Sequence, residues 1–60
     1  MNEPRILIVD DERVVAEDIS EYLQQMGYLA VGRAASGEQA IALAGELRPD
    51  LVLMDIRLEG

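Results

Sequence analysis

Two short runs of apolar, β-capable residues constrain this chain more than anything else in it. Ile6-Leu7-Ile8-Val9 and Leu51-Val52-Leu53-Met54 are each followed at once by an aspartate. Consecutive apolar positions without alternation describe a strand covered on both faces, as in a parallel sheet. A parallel neighbour cannot be reached through a tight turn; it needs a crossover of about a dozen residues or more, usually a helix. The residues between the two runs must supply such crossovers, and they read that way.

The first strand is expected over residues 5–10. Asp11, Glu12 and Arg13 then open a helical pattern, expected over 12–26, in which Val15, Ile19, Tyr22, Leu23 and Met26 form one apolar stripe. Acids in its first turn suit the positive helix end, and Gly27 ends it as a residue just past the C-cap would. A second, weaker strand is expected over 28–35. Its alternation is poor and Gly32 weakens it further, which suits a sheet edge. Ser36 followed three residues later by Gln39 is a capping-box signature. The helix it starts, expected over 37–48, would bury Ala40, Ile41, Ala44 and Leu47, and Pro49 stops it no later than Arg48. The third strand is expected over 51–55, with a loop after it.

The order β-α-β-α-β belongs to the α/β class. Right-handed crossovers that step first one way and then back across strand 1 put the helices on opposite faces and give the sheet order 2-1-3. In such open sheets ligands bind at the carboxyl ends of the strands where the order reverses. Here that point lies between strands 1 and 3.

Composition narrows the chemistry. The chain has 60 residues, so it forms at most one small domain, and with two Tyr, no Phe and no Trp it has few large side chains to fill a core. Cysteine and histidine are absent, so any metal held here takes oxygen ligands, which favours magnesium, calcium or manganese over zinc. The formal charge is −7, every base is Arg, and there is neither Lys nor Thr. Such acidity disfavours nucleic-acid backbones and anionic membrane surfaces. No apolar run is long enough to span a bilayer and no secretory signal is visible, so a soluble cytoplasmic protein is the expectation.

Asp10 and Asp11 end strand 1, and Asp55 ends strand 3. If those strands are neighbours, three carboxylates converge on one sheet edge. Like charges in one cleft repel, and a cation among them makes the arrangement tolerable. Magnesium fits, because it takes one or two carboxylates, keeps several waters and accepts phosphate oxygens. A carboxylate beside it can attack a phosphoryl group and form an aspartyl phosphate. Each residue alone has a plainer reading. An Asp at a strand-to-helix junction is often an N-cap, Glu12 is a first-turn acid, and Arg57 is a solvated loop residue. Tyr22, Tyr28 and the methionines read as core or rim. The functional reading rests on the combination.

That combination carries a resemblance. The runs I-L-I-V-D-D-E (6–12), S-G-E-Q-A (36–40) and R-P-D-L-V-L-M-D-I-R-L (48–58) resemble a response-regulator receiver domain of two-component signalling, over essentially the whole chain. The resemblance implies a flavodoxin-like, doubly wound parallel sheet. It also implies that Asp55 accepts a phosphoryl group from a sensor histidine kinase or a phosphotransfer protein. Asp11 would bind Mg2+ directly, Asp10 would hold it through water, and the backbone carbonyl of Arg57 would complete the protein ligands. A complete receiver is about twice as long. Its later strands supply a Ser or Thr that senses the phosphoryl group and a Lys that pairs with it. This sequence reaches Gly60 without either in place, so the expectation is an N-terminal half that keeps the acidic pocket, binds metal weakly and is phosphorylated poorly. Strand 3 would then be an open edge, and self-association through it is expected.

Two further functions stand beside this one. A self-associating half-domain without phosphoryl chemistry is the alternative, separated from the first by metal-dependent phosphorylation of Asp55. A phosphatase-type hydrolase wants D-x-D straight after strand 1, whereas D-D-E stands here. Nucleotide-binding glycine motifs are absent.

Overall fold

The computed structural model describes residues 3–54. Five elements follow in the order β1 (Arg5–Val9), α1 (Arg13–Gln25), β2 (Leu29–Ala34), α2 (Gly37–Leu47) and β3 (Leu51–Met54). The strands form one parallel sheet of order β2-β1-β3. The expected α/β class, strand order and parallel sense are those observed.

β1 is the centre of the molecule because it has a strand on each side and a helix on each face. Ile6 and Ile8 point to one face and pack with Ala16 and Leu23 of α1, with Ile19, Tyr28 and Ala30 at the margin. Leu7 and Val9 point to the other and pack with Ala34, Ala40, Leu43, Ala44 and Leu47, mostly from α2. Strand residues alternate between faces, so the four-residue apolar run divides evenly between two small cores. All four of its side chains are at most 2% exposed.

Register is set at the entry end of the sheet. The Arg5 N–H donates to Asp50 Oδ2 (2.8 Å) and Asp50 N–H donates back to the Arg5 carbonyl (2.8 Å). The Arg5 guanidinium donates to the carbonyl of Arg48 (3.0 Å). On the other side, Leu29 N–H donates to the Pro4 carbonyl (2.9 Å). These contacts align Ile6 with Leu51 and Val9 with Met54.

Helix ends follow local chemistry. Ser36 is the N-cap of α2 and its hydroxyl accepts from Gln39 N–H (3.2 Å). The Gln39 side chain reaches back to the N–H of Ala35 (2.7 Å) rather than to that of the cap itself. Arg48 closes α2 in the left-handed region (φ 49°), and Gly27 (φ 91°) supplies the left-handed turn after α1 that a side chain would disfavour.

Several expectations are corrected. α1 begins at Arg13, with Glu12 as its N-cap, so no acid stands in its first turn. The buried stripe of α1 is Ala16 and Leu23 with Val15 and Ile19 half-buried, while Tyr22 and Met26 are exposed. In α2, Ile41 is 77% exposed and Leu43 takes the expected place against the core. An apolar residue one position from the contact face points away at 100° per residue, and propensity patterns cannot say which flank meets the sheet. β3 is exposed throughout. Its apolar character on both faces is as read, but the described residues provide no cover for it.

Candidate functional site

The carboxyl ends of β1 and β3 lie side by side, since Val9 is the register partner of Met54. Asp10 follows Val9 directly. Its N–H extends the β1–β2 ladder by donating to the Ala34 carbonyl (2.9 Å), which fixes its backbone at the point where the sheet order reverses. Its side chain turns inward and is 4% exposed.

The two oxygens of Asp10 differ. Oδ1 accepts from the Glu12 N–H (2.9 Å), bridging the two-residue turn into α1. This is a helix-start role, and it explains how Asp10 can sit just ahead of α1 without being its N-cap. Oδ2 is buried and has no hydrogen-bond partner among the described residues. A buried anionic oxygen left unmatched costs a substantial part of its desolvation free energy unless something positive meets it. Asp11, the next residue, is exposed to solvent at the same edge.

These features fit a hard divalent cation. The donors are oxygens, one of them buried and unsatisfied, and an exposed carboxylate stands next in the chain. Among the described residues no three acidic, imidazole or thiol side chains come together to hold a metal. Two of the four expected ligands, Asp55 and the carbonyl of Arg57, lie outside the described residues. Asp55 is the residue after Met54 in sequence, as Asp10 is the residue after its partner Val9.

A hollow of about 390 Å³ lies elsewhere, between α1 and β2, lined by residues that include Ile8, Arg13, Ala16, Glu17, Ser20 and Arg33. It contains neither Asp10 nor Asp11, and Arg13 and Glu17 there satisfy each other (3.4 Å). The site lies at the sheet edge by virtue of strand ends, not of a cavity. Sequence reading missed one polar residue with a clear part, Asp50. Its bonds to Arg5 set the β1–β3 register on which the site depends. An Asp immediately before a strand was the available signal.

Residues 6–60 match the response regulator receiver domain family. The chain is similar to the response regulator protein VraR of Staphylococcus aureus, 50% identical over 56 residues, covering 92% of this chain and 27% of that protein. It is similar also to the transcriptional regulatory protein PdtaR of Mycobacterium tuberculosis, 43% identical over 54 residues, covering 90% of this chain and 26% of that one. A Bacillus subtilis relative, protein CcdB, is 48% identical over 54 residues, 45% of its length. The chain thus spans about a quarter to under a half of these relatives. The β-α-β-α-β order, the parallel 2-1-3 sheet and the family match over nearly every residue agree: the chain belongs to the response regulator receiver domain family.

Proposed function

We propose that this chain is the phosphoacceptor part of a receiver, taking a phosphoryl group on Asp55 from a sensor histidine kinase or a phosphotransfer protein in the cytoplasm. The observation that carries the reading is the buried Oδ2 of Asp10, without a partner among the described residues, at the sheet's reversal point and one strand away from the residue that precedes Asp55. Asp10, Asp11, Asp55 and the carbonyl of Arg57 would hold Mg2+. When bound, the ion would neutralise charge on the transferring oxygens.

In the step itself, a carboxylate oxygen of Asp55 forms a bond to phosphorus. The phosphorus–nitrogen bond of a phosphohistidine donor breaks, and its electron pair stays with the imidazole, which takes up a proton. Asp10 keeps one oxygen fixed to the Glu12 N–H, and its other oxygen would be available to hold the cation. These 60 residues contain no Lys to pair with a phosphoryl oxygen and no Thr to sense it, so the extent of modification expected is low. A second copy of the chain is the other partner we propose, seated on β3.

The test is incubation with Mg2+ and a small acyl-phosphate donor, read by intact mass beside an Asp55→Asn control. A substoichiometric mass increase of one phosphoryl group, dependent on Mg2+ and lost in Asp55→Asn, is expected. No addition to a chain shown by circular dichroism to be folded, or equal addition to the control, would overturn the proposal.

A further inference from the structure

β2 carries one residue more than β1 can pair. Ile6 is aligned with Ala30 and Leu7 with Gly32, so Val31 is left over. Such a bulge resets the face that every later side chain takes, and bulges are uncommon between parallel strands. Ala30 packs on the α1 side with Ile6 and Ile8. Plain alternation from Ala30 would put Arg33 on the α2 side and Ala34 under α1. The bulge reverses this. Ala34 joins Leu7 and Val9 in the core under α2, and Arg33 becomes the register partner of Ile8, on the side of α1. A sheet face covered by a helix ordinarily carries apolar residues. Here it carries a guanidinium.

That guanidinium borders the hollow of about 390 Å³ between α1 and β2, a size within the range of about 300–1,000 Å³ usual for small-molecule sites. Ile8, Ala16 and Ala30 give the hollow an apolar lining, and Ser20 and Arg33 bring polar groups to it. Arg13 at the same hollow is committed to Glu17 (3.4 Å). Arg33 is not so committed. Among the described residues neither Arg33 nor the half-buried Ser20 has a side-chain hydrogen bond or ion pair. The hollow therefore joins an apolar surface to a cation and a hydroxyl that the protein leaves unused.

We propose that this hollow binds a small organic molecule with an apolar body and a single carboxylate. The body lies on Ile8, Ala16 and Ala30, and the carboxylate accepts from the Arg33 guanidinium and the Ser20 hydroxyl. A planar guanidinium presents paired N–H donors that match a carboxylate, and such charge-assisted bonds are stronger than neutral ones. One negative charge suits the site better than two. Glu17 borders the hollow and the whole chain carries −7, so each further negative charge on the ligand meets repulsion. The hollow contains neither Asp10 nor Asp11, and this binding does not depend on the phosphoacceptor reading.

The test titrates the chain at neutral pH with phenylbutyrate, and separately with its uncharged counterpart phenylbutyramide, following backbone amide chemical shifts by nuclear magnetic resonance. Phenylbutyrate is expected to give saturable shifts, in the millimolar range, centred on residues 16–20 and 30–33. The amide is expected to bind about tenfold more weakly, as is phenylbutyrate to Arg33→Gln. Glu17→Gln, which frees Arg13 and removes a repelling charge, is expected to bind phenylbutyrate more tightly than the wild type. Shifts that do not saturate or that centre elsewhere overturn the proposal, as does equal binding of acid and amide. A folded Arg33→Gln that binds like the wild type also overturns it. If that variant does not fold, the comparison of acid with amide on the wild type decides.

Discussion

Asp10 shows how one side chain serves structure and site at once. Its Oδ1 holds the turn into α1 through the Glu12 N–H, and its buried Oδ2 has no partner among the described residues. The first contact contributes to folding. The second opposes it, and under the proposed function a bound cation would offset that cost. Asp10→Asn keeps an oxygen for Glu12 and removes the uncompensated anionic one. Without metal, the variant is therefore expected to be more stable than the wild type by about 1 kcal/mol, measured by thermal unfolding in a chelator. Added Mg2+ is expected to raise the melting temperature of the wild type alone. A ligand at a hundredfold excess over its Kd is worth about 2.7 kcal/mol. An equal Mg2+ shift in both proteins would remove Asp10 from the metal site.

Between elements, α2 packs tightly on β2 at Gly32. A Cβ built there would lie 2.8 Å from Leu47 Cδ1 and 3.5 Å from Leu7 Cδ1. Gly32 thus lets Leu47 lie flat over the sheet and cover Leu7, at the same stretch where β2 slips register. Leu47 is half-buried and the clashing atom is the tip of its side chain, so it can move at the cost of an unfavourable rotamer. Gly32→Ala is expected to destabilise the chain by about 1 kcal/mol in urea unfolding. In a Leu47→Ala background that penalty is expected to vanish. A penalty unchanged by Leu47→Ala would place the strain in the backbone instead.

For the whole molecule, stability rests on few residues. A chain of this size has a folding free energy of about 3–9 kcal/mol, and the two cores share β1 as their common wall. Leu7 is 0% exposed, and truncating a buried Leu costs about 2–5 kcal/mol. Leu7→Ala is therefore expected to unfold most of the sample at room temperature, read by far-ultraviolet circular dichroism. Ile41→Ala, at a position 77% exposed, is expected to stay within about 0.5 kcal/mol of the wild type. Equal effects of the two would mean that the burial described for β1 does not govern stability.

What the sequence determined by itself is local or combinatorial. The unalternating runs at 6–9 and 51–54 demanded parallel strands and crossovers. Ser36 and Gly27 marked helix ends through short-range hydrogen bonding and backbone geometry, and the aspartate after the first apolar run marked the carboxyl end of β1. These follow from period, propensity and chain connectivity, which contacts only a few residues away dictate. Tertiary structure decided the rest. It chose Ala16 and Leu43 over Tyr22 and Ile41 as the residues that meet the sheet, because helix rotation is set by the opposing surface. It gave Asp50 the task of aligning β3 with β1 through bonds to a residue 45 positions away. It also divided the Asp10 carboxylate into one satisfied and one buried, unsatisfied oxygen, a distinction that exists only once β1, β2 and the start of α1 have packed around it.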